Sequence, residues 1–179
     1  DLEVPLKQGV RLILGTDEET GFRDIRWYYD RHPYAPYTIS PDADFPIINI
    51  EKGHYQPTFS AAWPIEEALP RVTSITGGPR LNMVPPMARA TLLGLEEAAV
   101  QQAIDGLGLE PEIRFTLTPQ NGALHIHCAG QNAHGSTPEE GHNAQTALLT
   151  LLCALPLAPC PSTQAIHNLN RLFPDGDFT

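Results

Sequence analysis

The sequence lacks the features that would place it in a membrane, in an oxidising compartment or on a nucleic acid. Its 179 residues contain only three cysteines, Cys128, Cys153 and Cys160, without a CxxC pair, which is typical of thiols kept reduced in a cytosol. No apolar run approaches the length of a transmembrane helix, and the N-terminus lacks the basic and then apolar pattern of a signal peptide. We therefore expect a soluble, cytoplasmic protein.

Positive charge is also scarce, since 11 basic residues stand against 21 acidic ones and give a net charge of -10. That balance disfavours nucleic acid and anionic membranes as partners. The hydrophobic content of 41% is sufficient for a buried core, and the length allows one ordinary domain or two small ones.

The pattern of the first 53 residues predicts a strand, a helix and a second strand. Residues 10–14 form a short apolar run, and residues 37–40 are a second strand candidate. Between them, residues 21–32 place most of their aromatic side chains on one helical face. A helical crossover makes two strands parallel, so the carboxyl ends of both would meet at one edge of a sheet. This region is therefore expected to be a slice of a parallel α/β domain.

Acidic residues follow both predicted strands. Glu18 and Glu19 come after the first strand, and Asp42 comes after the second. The carboxyl edge of an open α/β sheet is where ligands bind, and converging carboxylates suit divalent metal ions. The alternative is that these acids occupy the first turn of a helix, where capping and the helix dipole favour them.

The sequence from residue 54 changes to the pattern of an antiparallel sheet with helices. Strands are predicted at 55–63, 71–75 and 87–93 and a helix at 95–106. A hairpin is predicted from 112–118 and 124–130, and a second helix at 143–155. Three prolines from Pro156 to Pro161 predict an irregular connection. The fold class expected here is an α+β two-layer sandwich, with domains at 1–53 and 54–164 and a further segment or tail at 165–179.

Four stretches together resemble a known family. They are RLILGTDEET at 11–20, SPDADFPIIN at 40–49, EKG at 51–53 and GQNAHGSTPEEGHNA at 130–144. In this order they are similar to the di-metal dipeptidases of the aminoacylase/carnosinase metallopeptidase superfamily, most closely the bacterial PepV type. The resemblance implies that the second part of the chain is a ferredoxin-like lid or dimerisation domain.

The resemblance also implies roles for particular residues. Glu18 would be the general acid/base, Glu19 and Asp42 would each bind one of two divalent metals, and Asn82 and His134 would hold the oxyanion and the substrate. The metals implied are zinc, or manganese or cobalt, and the substrate is a dipeptide or short peptide. Asp44 is a second choice for the Asp42 role.

The chain departs from the family pattern in ways that limit the prediction. The family also uses an upstream His-x-Asp, a bridging Asp and a late His, and no His here is followed two places later by Asp. We therefore expect a segment of a longer protein, inactive and largely metal-free by itself, that needs the remainder of its catalytic domain.

Three alternatives stay open at the level of sequence. The α+β part could be an interaction module that forms a homodimer through the lid. The protein could be a deacylase or carboxypeptidase of the same superfamily, although the Ser-Pro-Asp-Ala-Asp turn favours a dipeptidase. His125 and His127 could bind a metal as an H-x-H pair on a strand, but no third ligand is evident.

Overall fold

The structure is a computed structural model that describes residues 7–41, 47–50, 53 and 55–176. Contacts divide the chain into two units, Asp1–His54 and Tyr55–Thr179. We call them the N-terminal unit and the sheet unit. No helix among the described residues is both long enough and apolar enough to span a membrane.

The described residues of the N-terminal unit contain little regular structure. Its described elements are a 3₁₀ helix, Glu18–Thr20, and the seven-residue helix α1, Arg23–Tyr29, neither of which buries a residue. The strands predicted at 10–14 and 37–40 are not present, and Leu12 and Ile39 are exposed to 80% and 88%. A parallel strand is stable only with strands beside it and helices on both faces, and the described residues of this unit provide neither. The parallel-sheet domain therefore stays a prediction.

The sheet unit is built on four antiparallel strands in the order β1-β2-β4-β3. They are β1, Arg71–Gly77, β2, Met87–Leu93, β3, Arg114–Gln120, and β4, Ala123–Ala129. The predictions of β2 and of the β3–β4 hairpin are confirmed. The hairpin closes through Asn121-Gly122, where both residues have positive φ, as the two-residue turn between antiparallel strands requires.

Three helices pack against the sheet. They are α2, Glu97–Gly106, α3, Ala144–Ala154, and α4, Pro161–Leu172. In β4 the side chains of Leu124, Ile126 and Cys128 are buried while those of the residues between them are not, and in α3 six of eleven residues are buried. The buried face of β4 and the apolar helix α3 therefore form one core, to which β2 also contributes.

Helix α4 shows that one prediction was wrong, because an irregular connection was expected through Pro161. Pro161 is the first residue of α4, where its missing N–H costs no hydrogen bond because the first helical N–H groups have no intrahelical partner. Glu66 supplies a substitute cap, since its carboxylate accepts hydrogen bonds from the backbone N–H of Ser162, at 3.0 Å, and from the Ser162 hydroxyl. The predicted boundary between residues 164 and 165 falls inside this helix.

The segment at 55–63 was predicted as a strand and is assigned to no strand. Its aromatic side chains remain exposed, as Phe59 at 87% illustrates. The fold class as a whole, a parallel α/β slice followed by a ferredoxin-like lid, remains a proposal.

Candidate functional site

The acidic turn of the N-terminal unit is organised by two aspartates. Asp17 accepts hydrogen bonds from the backbone N–H of Arg23 at 2.9 Å and from the Arg23 Nε at 2.8 Å. Asp24 accepts hydrogen bonds from the backbone N–H groups of Thr16 and Ile25. The Arg23 side chain lowers the pKa of Asp17, and the Thr16 N–H lowers the pKa of Asp24. Asp17 and Asp24 therefore stabilise the turn and the start of α1.

Glu18 and Glu19 occupy the 3₁₀ helix of this turn, and both are exposed. Glu18 lies on the wall of a groove of about 1260 Å³ formed by residues between Lys7 and Pro41. Both glutamates thus lie in the first turn of a helix, as the alternative interpretation of these acids expected. Asp42 and Asp44 lie outside the described residues, so the convergence of Glu19 with Asp42 remains a prediction.

In the sheet unit, the segments that carry Asn82 and His134 lie side by side. Met83 and His134 form an isolated antiparallel bridge. The Gly135 N–H donates to the Asn82 carbonyl at 2.7 Å, and the Val84 N–H donates to the Ala133 carbonyl at 2.9 Å. Two residues 52 positions apart, chosen for one role by resemblance alone, are therefore neighbours at one end of the sheet.

Gly135 suits this close approach. A Cβ at position 135 would lie 3.1 Å from the Asn82 carbonyl oxygen and 3.2 Å from its carbonyl carbon. Both are backbone atoms, so a side chain at 135 would fit only if the Asn82 backbone moved by a few tenths of an ångström.

The imidazole of His134 is oriented by Ser136. The Ser136 backbone N–H donates to Nδ1 at 3.3 Å, and the Ser136 hydroxyl lies 2.7 Å from the same nitrogen. A backbone N–H can only donate, so Nδ1 must offer its lone pair and the neutral ring carries its proton on Nε2. His134 is exposed, and its Nε2–H is suited to donate a hydrogen bond to a carbonyl oxygen that gains negative charge.

The loop that carries His134 is closed at its base by a second bridge. Gln131 and His142 exchange two backbone hydrogen bonds of 2.9 Å. Gly130 lies directly beneath this bridge, since a Cβ there would meet the His142 carbonyl oxygen at 2.1 Å. Residues 131–142 therefore form a loop with a fixed base and an exposed histidine.

Sequence reasoning missed one cluster of ionisable residues, Glu110, Glu112 and His142. His142 Nδ1 contacts Glu110 Oε2, and Nε2 lies 4.0 Å from Glu112 Oε2. Among the described residues this is the one group of three or more that could hold a metal ion. Glu110 and Glu112 precede β3 and His142 follows β4, so only the register of these paired strands could have indicated the cluster.

His125 and His127 behave as strand residues. They alternate with the buried residues of β4, and His125 Nδ1 lies 3.2 Å from the Thr91 hydroxyl. Neither belongs to a group of metal-ligating side chains among the residues that the structure describes.

Comparison with known proteins supplies a family context. No family model matches the chain. The chain is 32% identical over 154 residues to the Bacillus subtilis protein named "Putative dipeptidase YtjP", an alignment of 85% of this chain and 33% of that protein. It is 31% identical over 146 residues to the "Beta-Ala-Xaa dipeptidase" of Lactobacillus delbrueckii subsp. lactis, covering 82% and 31% respectively.

A third relative, named "Putative dipeptidase", from Staphylococcus epidermidis, is 30% identical over 165 residues, which cover 88% of this chain and 34% of that protein. The chain thus spans about a third of the length of the curated relatives that it matches. These relatives support a dipeptidase family for this chain.

Proposed function

We propose that this chain is part of a metallodipeptidase, with acidic groups in the N-terminal unit and a hydrogen-bond donor for the substrate in the sheet unit. The observation that carries the proposal is the pairing of the Asn82 and His134 segments, with a neutral His134 that presents an Nε2–H. The similarity to proteins named dipeptidases supports the same activity.

The N-terminal unit would contribute the proton-transfer group and metal ligands. Carboxylate oxygens suit Zn²⁺ or Mn²⁺, so Glu19 and Asp42 are of the right chemical type. Two bound divalent ions would lower the pKa of a water molecule and polarise the scissile carbonyl. With one carboxylate for each ion, Glu19 and Asp42 alone would hold these two metals weakly, and we expect the chain to be inactive without the remaining ligands of the family pattern.

Glu18 would act as the general acid/base. Its exposed carboxylate on the groove wall can accept a proton from the attacking water and return it to the leaving amine. This role requires that Glu18 bind no metal. His134 Nε2–H would donate to the carbonyl oxygen of the scissile bond as its charge increases, and Asn82 would hold the peptide.

The proposed substrates are dipeptides with a free N-terminus. One relative carries the name Beta-Ala-Xaa dipeptidase, which makes β-alanyl dipeptides a reasonable first set to assay beside α-dipeptides. We propose zinc as the metal, with manganese and cobalt as substitutes.

The decisive experiment uses the longest reading frame that contains this chain, expressed with zinc or manganese. Glu18→Gln should lower kcat by about 10²–10⁴-fold, the usual contribution of a general acid/base. His134→Gln, which keeps an N–H donor, should retain more activity than His134→Ala. Glu97→Gln, a change at an exposed glutamate of α2, is the matched control. Unchanged turnover in Glu18→Gln would remove the acid/base assignment.

The interaction-module alternative retains one observation in its favour. Leu169, Leu172 and Phe173 on and beside α4 are 43–65% exposed, and an apolar groove of about 630 Å³ lies between α4 and β1. The sheet edges are poorly suited to pairing, however, because β1 has an irregular register near Thr73 and β3 contains Pro119. Size-exclusion chromatography over a range of concentrations would detect a homodimer formed through the lid.

A further inference from the structure

The cluster of Glu110, Glu112 and His142 lies at the base of the loop that carries His134. β3 begins at Arg114, which pairs with Ala129 at the end of β4, so the two glutamates lie at the same end of the sheet as the loop. The backbone bridge between Gln131 and His142 fixes the position of the histidine. Its side chain is only 23% exposed. The cluster therefore joins the loop base to the start of β3.

The contacts of His142 determine where a neutral ring carries its proton. An ionised carboxylate can only accept hydrogen bonds, so Glu110 at Nδ1 requires the proton on that nitrogen. Nε2 then has a lone pair, and Glu112 Oε2 faces it at 4.0 Å. This distance exceeds that of a hydrogen bond. Two electron-pair donors therefore face each other across a gap.

The ion-pair partner of both glutamates is His142, which is charged only when it is protonated. Within residues 55–176, neither glutamate forms an ion pair with a lysine or an arginine. One ligand atom from each of the three side chains lies within 4.8 Å of the others. Zinc binds imidazole nitrogen and carboxylate oxygen at about 2.0–2.2 Å in tetrahedral geometry, which places two ligand atoms about 3.4 Å apart. The half-exposed Glu112 side chain would therefore move by about 0.6 Å towards Nε2 to hold one ion.

We propose that His142 Nε2 and Glu112 bind one divalent cation of the zinc class, and that Glu110 orients the imidazole through Nδ1. A carboxylate on the second ring nitrogen is the usual support of a metal-binding histidine, since it fixes the tautomer and makes the ligand more basic. Water completes the coordination. The bound ion would connect the His134 loop to the start of β3, independently of the dipeptidase proposal.

The test is a Zn²⁺ titration of the 179-residue chain labelled with ¹⁵N-histidine, followed by the ring-nitrogen resonances. We expect saturable binding of one ion that shifts the His142 Nε2 resonance. His142→Gln should abolish this binding, and Glu110→Gln should weaken it by about 10–100-fold, as loss of a supporting carboxylate does. Glu112→Gln should weaken it at least as much. His127→Gln and Glu97→Gln are the matched controls and should bind as the wild type does.

Two results would overturn the proposal. One is a His142 resonance that does not respond to a large excess of zinc, which would leave a proton as the only cation in the gap. The other is an unchanged affinity in Glu112→Gln, a substitution at a half-exposed side chain that does not threaten the fold. Glu19→Gln separates this site from the proposed catalytic metals, because it should leave the His142 shift intact.

Discussion

The two units of this chain differ in how they use similar apolar sequence. In the N-terminal unit the run at 10–14 remains exposed and no strand forms among the described residues. In the sheet unit the comparable alternation of β4 buries Leu124, Ile126 and Cys128 against α3. The sheet unit thus has a core of its own, whereas none of the described residues of the N-terminal unit is buried.

The difference shows that a strand pattern is realised only where its partners are available. β3 and β4 are joined by a two-residue turn, so each finds its partner within a few positions. Parallel strands need a crossover and further neighbours, and the described residues of the N-terminal unit offer only the short helix α1. The strands that formed as predicted are those whose partners lie nearby, and the helix predicted at 21–32 is present as the shorter α1.

The largest difference in stability should come from one matched pair of leucine-to-alanine substitutions, one in each unit. Leu148→Ala in α3 removes a side chain with no exposed surface and should lower the free energy of unfolding by about 2–5 kcal/mol. Leu12→Ala in the N-terminal unit should change it by less than about 0.5 kcal/mol. Chemical denaturation of both variants measures the difference, and equal losses would show that the two units share one core.

A substitution beneath the loop should have a somewhat smaller effect. Gly130→Ala places a Cβ against the His142 carbonyl and should cost about 1–3 kcal/mol through a backbone shift. Gly106→Ala at the end of α2 meets no atom within 4 Å and should be neutral or slightly stabilising. The same denaturation curves apply, and a neutral Gly130→Ala would show that the loop base yields easily.

Loss of the α3 cap should cost less again. Asn143 Oδ1 accepts hydrogen bonds from the backbone N–H groups of Gln145 at 2.9 Å and Thr146 at 3.3 Å. Asn143→Ala should destabilise the sheet unit by about 1 kcal/mol, while Asn143→Asp should largely preserve the cap. If both variants lost the same stability, the side-chain oxygen would not be the stabilising group.

The last effects appear only at extreme pH, where acid should affect the N-terminal unit and alkali the sheet unit. The hydrogen bond from the Thr16 N–H lowers the pKa of Asp24 in the folded protein. This hydrogen bond therefore stabilises the fold above pH 3.8, the pKa of an unfolded Asp, and the stabilisation is lost as the pH falls through the lower pKa of the folded state. Burial raises the pKa of Cys128 to about 12, whereas an unfolded Cys has a pKa of 9.0. The buried neutral thiol therefore contributes its full stability below pH 9, and this stability decreases as the pH rises towards 12. Acid should therefore perturb the Thr16 amide resonance, whereas alkali should lower the denaturation midpoint of the sheet unit. The reverse pattern would contradict both assignments.

Sequence reasoning succeeded where short-range signals decide the structure. Asn121-Gly122 identified the hairpin, the spacing of apolar residues identified α2, and a run rich in Ala and Leu identified α3. It failed at Pro161, where a residue that ends helices begins one, because its cap comes from Glu66, 96 positions before Ser162. The cluster of Glu110 with His142 depends on strand register across 32 residues, and the roles of Asn82 and His134 came from resemblance alone.

The contrast between the units is tested most directly by amide hydrogen exchange on the intact chain. Amides of β2, β4 and α3 should exchange only through global unfolding, while those of residues 10–14 should exchange at close to the rates of an unstructured peptide. Protection at 10–14 equal to that of β4 would contradict the contrast and would indicate a strand there.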